Sequence, residues 1–265
     1  MGWRDAGGKT QTCIDQACKY SVPLAELQKD SPATQPVPEK TLRVELHCHT
    51  LWSHDCGTDP KQLMLSAKKR GIGMVAVTDH NQIGGALEAA EQNILPVIIG
   101  EEILSSEGEI IGYFLDQWIP PGLSPEETIA RIRDQGGVVS VPHPGDRIRR
   151  STLKRDSLTR IMPLIDMVEI FNARNTGKNA NIFARDQQER NNKIAAVGTD
   201  AHTAWEIGRS WQEIKAFSTS VEFLDSMRMA RLHTVQSPYL VHFASTYQKL
   251  RRRLIGPPAQ RALKP

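Results

Sequence analysis

No stretch of this sequence contains the roughly 18 consecutive apolar residues that a membrane-crossing helix requires. Residues 1–20 are interrupted by Arg4, Asp5, Lys9, Asp15 and Lys19 and lack the apolar core of a secretory signal. The opening Met-Gly-Trp-Arg-Asp-Ala has no Ser or Thr where a myristoylation signal needs one. No membrane partner is therefore expected, and the expected location is cytoplasmic. Cysteine is scarce: Cys13, Cys18, Cys48 and Cys56 have no zinc-finger spacing and are too few for a disulfide-stapled scaffold, so a reducing compartment is expected. Aromatic residues make up only 6% of the chain, which leaves little surface for stacking bases. Trp52, close to a histidine pair, is the one aromatic to place near a base, and packing is its other reading. The net charge of +3 is too small to identify a polyanionic partner.

Acidic residues are absent after Asp225, whereas Arg228, Arg231, Lys249, Arg251, Arg252, Arg253, Arg261 and Lys264 all follow it. That end reads as a solvated basic tail, or as a contact for nucleic acid or anionic lipid. The 265 residues, 39% of them hydrophobic, suffice for one substantial core. No internal repeat is present. Residues 1–40 are polar and contain Pro23, Pro32, Pro36 and Pro38, which favours a flexible lead-in. A folded domain is expected over 41–240 and a basic tail over 241–265.

Within the domain, strand-like and helix-like runs alternate, the pattern of βαβ units. Strands are expected over 42–46, 74–78, 95–100, 109–115, 138–141, 166–171, 194–198 and 211–217. Thr58 or Asp59 can cap a helix that carries Pro60 in its first turn and ends at Gly71. Ser124 and Glu127 form a capping box, with Gly136 and Gly137 as the stop. Further helices are expected over 178–191 and, from a Thr219–Glu222 cap, over 221–232. Such alternation fits an α/β fold closed or nearly closed into a β/α barrel, whose chemistry sits at the strand C-terminal ends.

Six of the eight histidines fall into four short clusters that follow these strands, most of them also carrying acidic residues: His47, His49 and His54 with Asp55, Asp79 with His80, His143 alone, and Asp200 with His202. Two positions apart at a strand end, His47 and His49 point to the same face and can bind one cation. The ensemble points to a metal site of mixed imidazole and carboxylate ligands, a donor set suited to Zn, Mn or Fe. Cys48 should face away from it, and Cys56 is undecided. Holding two cations together needs a bridging carboxylate, for which chemistry alone leaves Glu101 and Glu102 open. The prolines flanking His143 stiffen its backbone.

In order, His-x-His-Thr with a downstream Asp, Thr-Asp-His, Gly-x-Glu, His-Pro, Glu-x-x-Asn and Thr-Asp-Ala-His resemble the motif series of the polymerase and histidinol phosphatase (PHP) superfamily. The resemblance spans about residues 43 to 210, and it is to the short stand-alone phosphoesterases. It implies a distorted (β/α)7 barrel with two or three divalent metal ions at the strand C-terminal ends. It further implies His47, His49, Asp55, His80, Glu102, His143, Asp200 and His202 as ligands, and its Gly-x-Glu pattern selects Glu102. By the same resemblance one ion is held by His47, His49, Glu102 and Asp200, a second by Asp55, His80 and His202, and a third by Glu102 and His143. Glu169 or water would complete the third. The sequence departs from the family in Ser53-His54-Asp55-Cys56, where His54 is inserted.

The function expected is hydrolysis of a phosphate ester, from a small phosphomonoester, a nucleotide or an oligonucleotide end, by metal-activated water. Arg174 and Arg209 are candidates to hold phosphate oxygens through their planar forks, and His143 or His202 to protonate the leaving group. The alternatives are an amidohydrolase-like metal enzyme, for which no strand-end lysine is present, and a non-catalytic metal-binding regulatory domain.

Overall fold

The computed structural model describes residues 41–255; the polar lead-in, with Cys13 and Cys18, and residues 256–265 lie outside the described residues. Short β-branched runs form Thr41–Glu45 (β1) and Met74–Val77 (β2), joined by the helix Pro60–Lys69 (α1). Asp59 caps α1 by accepting from the Gln62 amide at 3.2 Å, with Pro60 in the first turn, and Leu63, Met64 and Ala67 are buried. Gly71, at φ +76°, ends it. Gly84–Glu91 (α2) leads to Val97–Ser105 (β3), which turns directly into Gly108–Tyr113 (β4). Pro125–Asp134 (α3) opens on the Ser124–Glu127 capping box and leads to Val138–Val141 (β5). Arg155–Ile161 (α4), Met167–Asn172 (β6), Lys178–Arg190 (α5) and Ile194–Gly198 (β7) follow. The chain continues through Trp211–Lys215 (β8), Ser220–Arg228 (α6), Arg231–His233 (β9) and Val241–Ile255 (α7).

Two expectations are corrected here. The helix expected over 221–232 stops at Arg228, and Arg231–His233 instead pairs antiparallel with β8. Residues 241–255, read as the start of a tail, form α7, and Arg174 donates to Val241 O and Ser245 Oγ, which seats that helix on the domain.

The nine strands form one sheet in the order β7-β6-β5-β4-β3-β2-β1-β8-β9. Pairing is parallel except around the β3–β4 hairpin and on β8 and β9, so β4 and β8 break the simple alternation. The sheet curls until the chain leaving β7, an edge strand, meets the chain leaving β1. Asp200 N donates to His47 O and His49 N donates to Ala201 O, which makes a nearly closed barrel. Strand residues alternate between two apolar clusters: Val138 and Met167 belong to one, Val139 and Val168 to the other. Each such buried aliphatic side chain contributes about 1.5–3 kcal/mol of transfer free energy. The parallel strands β1, β2, β5, β6 and β7 deliver their C-terminal ends to one mouth. Running the opposite way, β4 brings its N-terminal residues to the same place. Among the described residues, no helix is long and apolar enough to cross a membrane.

Candidate metal centre

Glu102 is fully buried and in contact with four imidazoles. His143 Nε2 lies 2.9 Å from Oε1, and His80 Nδ1, His47 Nε2 and His49 Nε2 lie 3.1, 3.4 and 3.4 Å from Oε2. Glu101, the alternative left open by chemistry, points the other way and accepts from Ile119 N at 3.0 Å. Strand alternation separates them. Asp200 Oδ1 lies 3.2 Å from His49 Nε2 and 3.7 Å from His47 Nε2. Asp55 meets His202 Nε2 at 3.2 Å and His80 Nε2 at 3.7 Å. All eight residues singled out by the motifs therefore converge on one cluster. His54 is exposed at its rim, its ring 5.1 Å from that of His80.

Three of the rings are aimed by a partner behind them. His47 Nδ1 bonds Glu169 Oε1 at 2.9 Å, His49 Nδ1 bonds Ser53 Oγ at 3.0 Å, and His202 Nδ1 donates to Asp200 O at 2.9 Å. In all three the Nε2 atom is left facing the cluster. Glu169, expected to complete a third ion site, is thus a positioning group: its other oxygen accepts from His143 N and from Asn172 Nδ2. Asp79 is buried behind the first loop, accepting from Thr50 N and Oγ1 and from Ser53 Oγ, and so fixes the path of residues 50–53. Glu45 accepts from the amides of His47, Thr199 and Gly208 and from the Thr199 hydroxyl, tying β1 to the β7–β8 loop. His143 and Asp200 adopt left-handed φ values of +32° and +55°. For non-glycine residues this strain costs on the order of 1–3 kcal/mol, and the bonds His143 N to Glu169 and Asp200 N to His47 O hold it in place.

Three residues that no motif marked also reach the cluster. Glu109, near the start of β4, is buried and lies 3.4 Å from His80 Nδ1 and 3.6 Å from His143 Nε2. Arg149 donates from Nη2 to Asp200 Oδ2 at 2.5 Å and from Nε to Asp146 at 3.2 Å. Lys249, from α7, lies 3.3 Å from Asp55 Oδ2. The two arginines expected to hold phosphate are engaged elsewhere. Arg174 is buried against Glu206 at 2.8 Å and bonded to α7, and Arg209 donates to Gln236 O and lies over the Trp205 ring. Trp52 packs against Gly84 and donates to Glu88. Cys48 and Cys56 direct their thiols to backbone carbonyls, of Ala76 and of His49 and His202.

The electrostatics follow from the crowding. Burial alone would raise the Glu102 carboxyl, but His47 and His80 hold it well below the usual range. Burial likewise opposes Asp200, and Arg149 and His47 bring it down. His80, against the effect of burial, is pushed up to about 10 by Glu102 and Asp55, and His47 is raised by Glu169 and Glu102. Burial and the neighbouring His202 and His80 lower His49. Several buried atoms that face the cluster have no hydrogen-bond partner: His49 Nε2, Asp55 Oδ1, Glu109 Oε2 and Asp200 Oδ1. His49 Nε2 and Asp200 Oδ1 approach to 3.2 Å without hydrogen-bond geometry, so both are aimed at a point between them. Orphaned buried donors of this kind are costly unless a cation satisfies them, and their mixed N and O chemistry fits a divalent ion. Triads such as His47–His49–Asp200, His47–Glu102–His143 and His80–Glu102–Glu109 each bring three ligand atoms within 4.8 Å of one another.

Comparison with known proteins agrees with this geometry. An uncharacterized protein of Methanocaldococcus jannaschii is 42% identical over 146 residues, covering 50% of this chain and 82% of its own length. A second uncharacterized protein of that organism is 32% identical over 189 residues, covering 70% and 75%. Among solved structures, the fold is similar to that of a two-domain protein from Bacteroides vulgatus containing a predicted PHP-like metal-dependent phosphoesterase. That match has a TM-score of 0.61 at 15% identity and covers 79% of this chain and 70% of the other. The model of the PHP-associated family matches residues 178–232, and that of the PHP domain matches residues 45–197, more than half of the chain. The chain belongs to the PHP domain family.

Proposed function

We propose that this protein hydrolyses a phosphate ester, with two or three divalent ions held in the cluster around Glu102. The carrying observation is Glu102 itself, one carboxylate that meets four imidazoles through its two oxygens. One ion falls to His47, His49, Glu102 and Asp200, and a second to Asp55, His80 and His202. His143, Glu102 and Glu109 form the third set, with Glu109 taking the place first given to Glu169 or water. Mn, Zn and Fe all suit these donors. Bound there, the ions supply an acidified water and neutralise charge on the phosphoryl oxygens.

The chain's own groups do the rest. Glu169, Ser53 and the Asp200 carbonyl fix the rings, so the ligand geometry is set before substrate arrives. Arg149 and Lys249 are the cations nearest the cluster, and a planar guanidinium suits two phosphate oxygens at once. His143 is a ligand in this assignment, which leaves it no free proton to give the leaving group. A cavity of about 730 Å³ shares His202 with the cluster and is lined by Gln62, Lys69, Arg70 and the half-exposed Trp205. Its basic and aromatic walls suit a nucleotide or an oligonucleotide end over a compact sugar phosphate.

The test is a panel of p-nitrophenyl phosphate, bis-p-nitrophenyl phosphate, nucleotides, short oligonucleotides, and carboxylic esters and amides, assayed with Mn and with Zn. The expected result is turnover of phosphate esters only, with KM raised about tenfold by Arg149→Ala. Turnover confined to carboxylic esters or amides would instead select the amidohydrolase alternative, and a metal-loaded protein inert on the whole panel the regulatory one.

A further inference from the structure

Helix α7 exposes an apolar stripe that the hydrolase site does not use. Phe243, Tyr247, Leu250 and Leu254 are 56–78% exposed. Their spacings of four, three and four residues place them on one face of the helix. Val241 and Ser245, on the opposite face, are buried, and Arg174 bonds both of them. The helix is thus seated with its apolar stripe turned to solvent, and Tyr239 and Leu240 extend the exposed patch at its start. A large contiguous apolar patch of this kind marks a contact surface. The charged residues on α7 are all basic: Arg251 is exposed, Lys249 turns toward Asp55, and the sequence adds Arg252 and Arg253 and no acidic residue after Asp225.

We infer that α7 docks the protein onto an anionic lipid surface, lying in the plane of the interface. The charge pattern selects this occupant. Pairing α7 with a second copy would bring arginine against arginine with no carboxylate on either helix to meet them. A nucleic acid would meet the charges but leave four apolar side chains in water. An anionic bilayer satisfies both, with acyl chains for the stripe and headgroup phosphates for the basic residues. At 15 residues and with this charge, the helix lies on a membrane and does not cross it.

The test is flotation of the full chain with vesicles of phosphatidylcholine containing about 30% phosphatidylserine, and with vesicles of phosphatidylcholine alone. The expected result is binding that is about tenfold or more weaker on the neutral vesicles and weakens with salt. Phe243→Ser with Leu250→Ser, both exposed and so neutral to folding, lowers binding about tenfold or more, whereas Leu65→Ser, exposed on α1, leaves it unchanged. Circular dichroism confirms that the variants are folded. Absence of binding to anionic vesicles at low salt overturns the inference, as does binding indifferent to the paired variant. So does a lipid-free dimer that the paired variant dissociates, which would assign the stripe to a second copy, or oligonucleotide binding that anionic vesicles do not compete away.

Discussion

At the scale of single residues, the site depends on carboxylates that hold histidines as much as on those that face the cluster. Glu169 is the clearest case: one oxygen sets the His47 ring and the other holds the strained His143 backbone. Glu169→Gln should lower metal affinity or turnover by about 10–100-fold with the fold intact, as read by metal titration and circular dichroism. An unchanged affinity and rate would remove Glu169 from the account. Protonation gives a second check. In the metal-free protein His80 stays charged up to about pH 10 and His47 is also raised, so at pH 7 incoming ions must displace protons. Metal affinity should therefore rise with pH over the neutral range. Calorimetric titration at pH 7 in buffers of different ionisation enthalpy should show net proton release, and a binding enthalpy independent of buffer would contradict it. Most motif residues were legible in the sequence because they lie in the loops that follow strand C-terminal ends, whereas Glu102 lies within β3, which runs on past the expected end at Gly100. Glu109 was not legible: it reaches the mouth only because β4 runs antiparallel, a reversal that an apolar run does not announce. Arg149 was hidden in the run Arg147-Ile148-Arg149-Arg150, where nothing local separates a side chain that meets Asp200 from its neighbours.

At the scale of elements, strand positions and caps were readable from local chemistry. Asp59 and Ser124 cap α1 and α3 as their sequences imply, and β5 and β7 have the expected bounds. Helix α7 was not readable as a packed element, because its buried face is small, Val241 and Ser245, and its seat is the side chain of Arg174. That contact also turns the Arg174 guanidinium to Glu206 and α7. Its guanidinium bridges Glu206 to α7, and Glu206 in turn accepts from His202 N and the Thr203 hydroxyl. Removing one member of a buried ion pair leaves the other charge unpaired. Arg174→Ala should cost about 3–5 kcal/mol, a fall of roughly 10 °C in Tm for a domain of this size, with KM little changed below the transition. A raised KM at unchanged Tm would return Arg174 to the phosphate.

At the scale of the whole molecule, barrel closure turns dispersed motifs into a site. The His47–Asp200 and His49–Ala201 backbone bonds that join the β1 and β7 ends lie directly beneath the cluster, so closure and ligand convergence are one event. The central claim is that Glu102 is shared between ions. Anomalous diffraction from crystals of the Mn-loaded protein measures this most directly. At least two anomalous peaks are predicted among these ligands, with Glu102 in contact with both. A single ion, or peaks that Glu102 does not touch, would contradict the account.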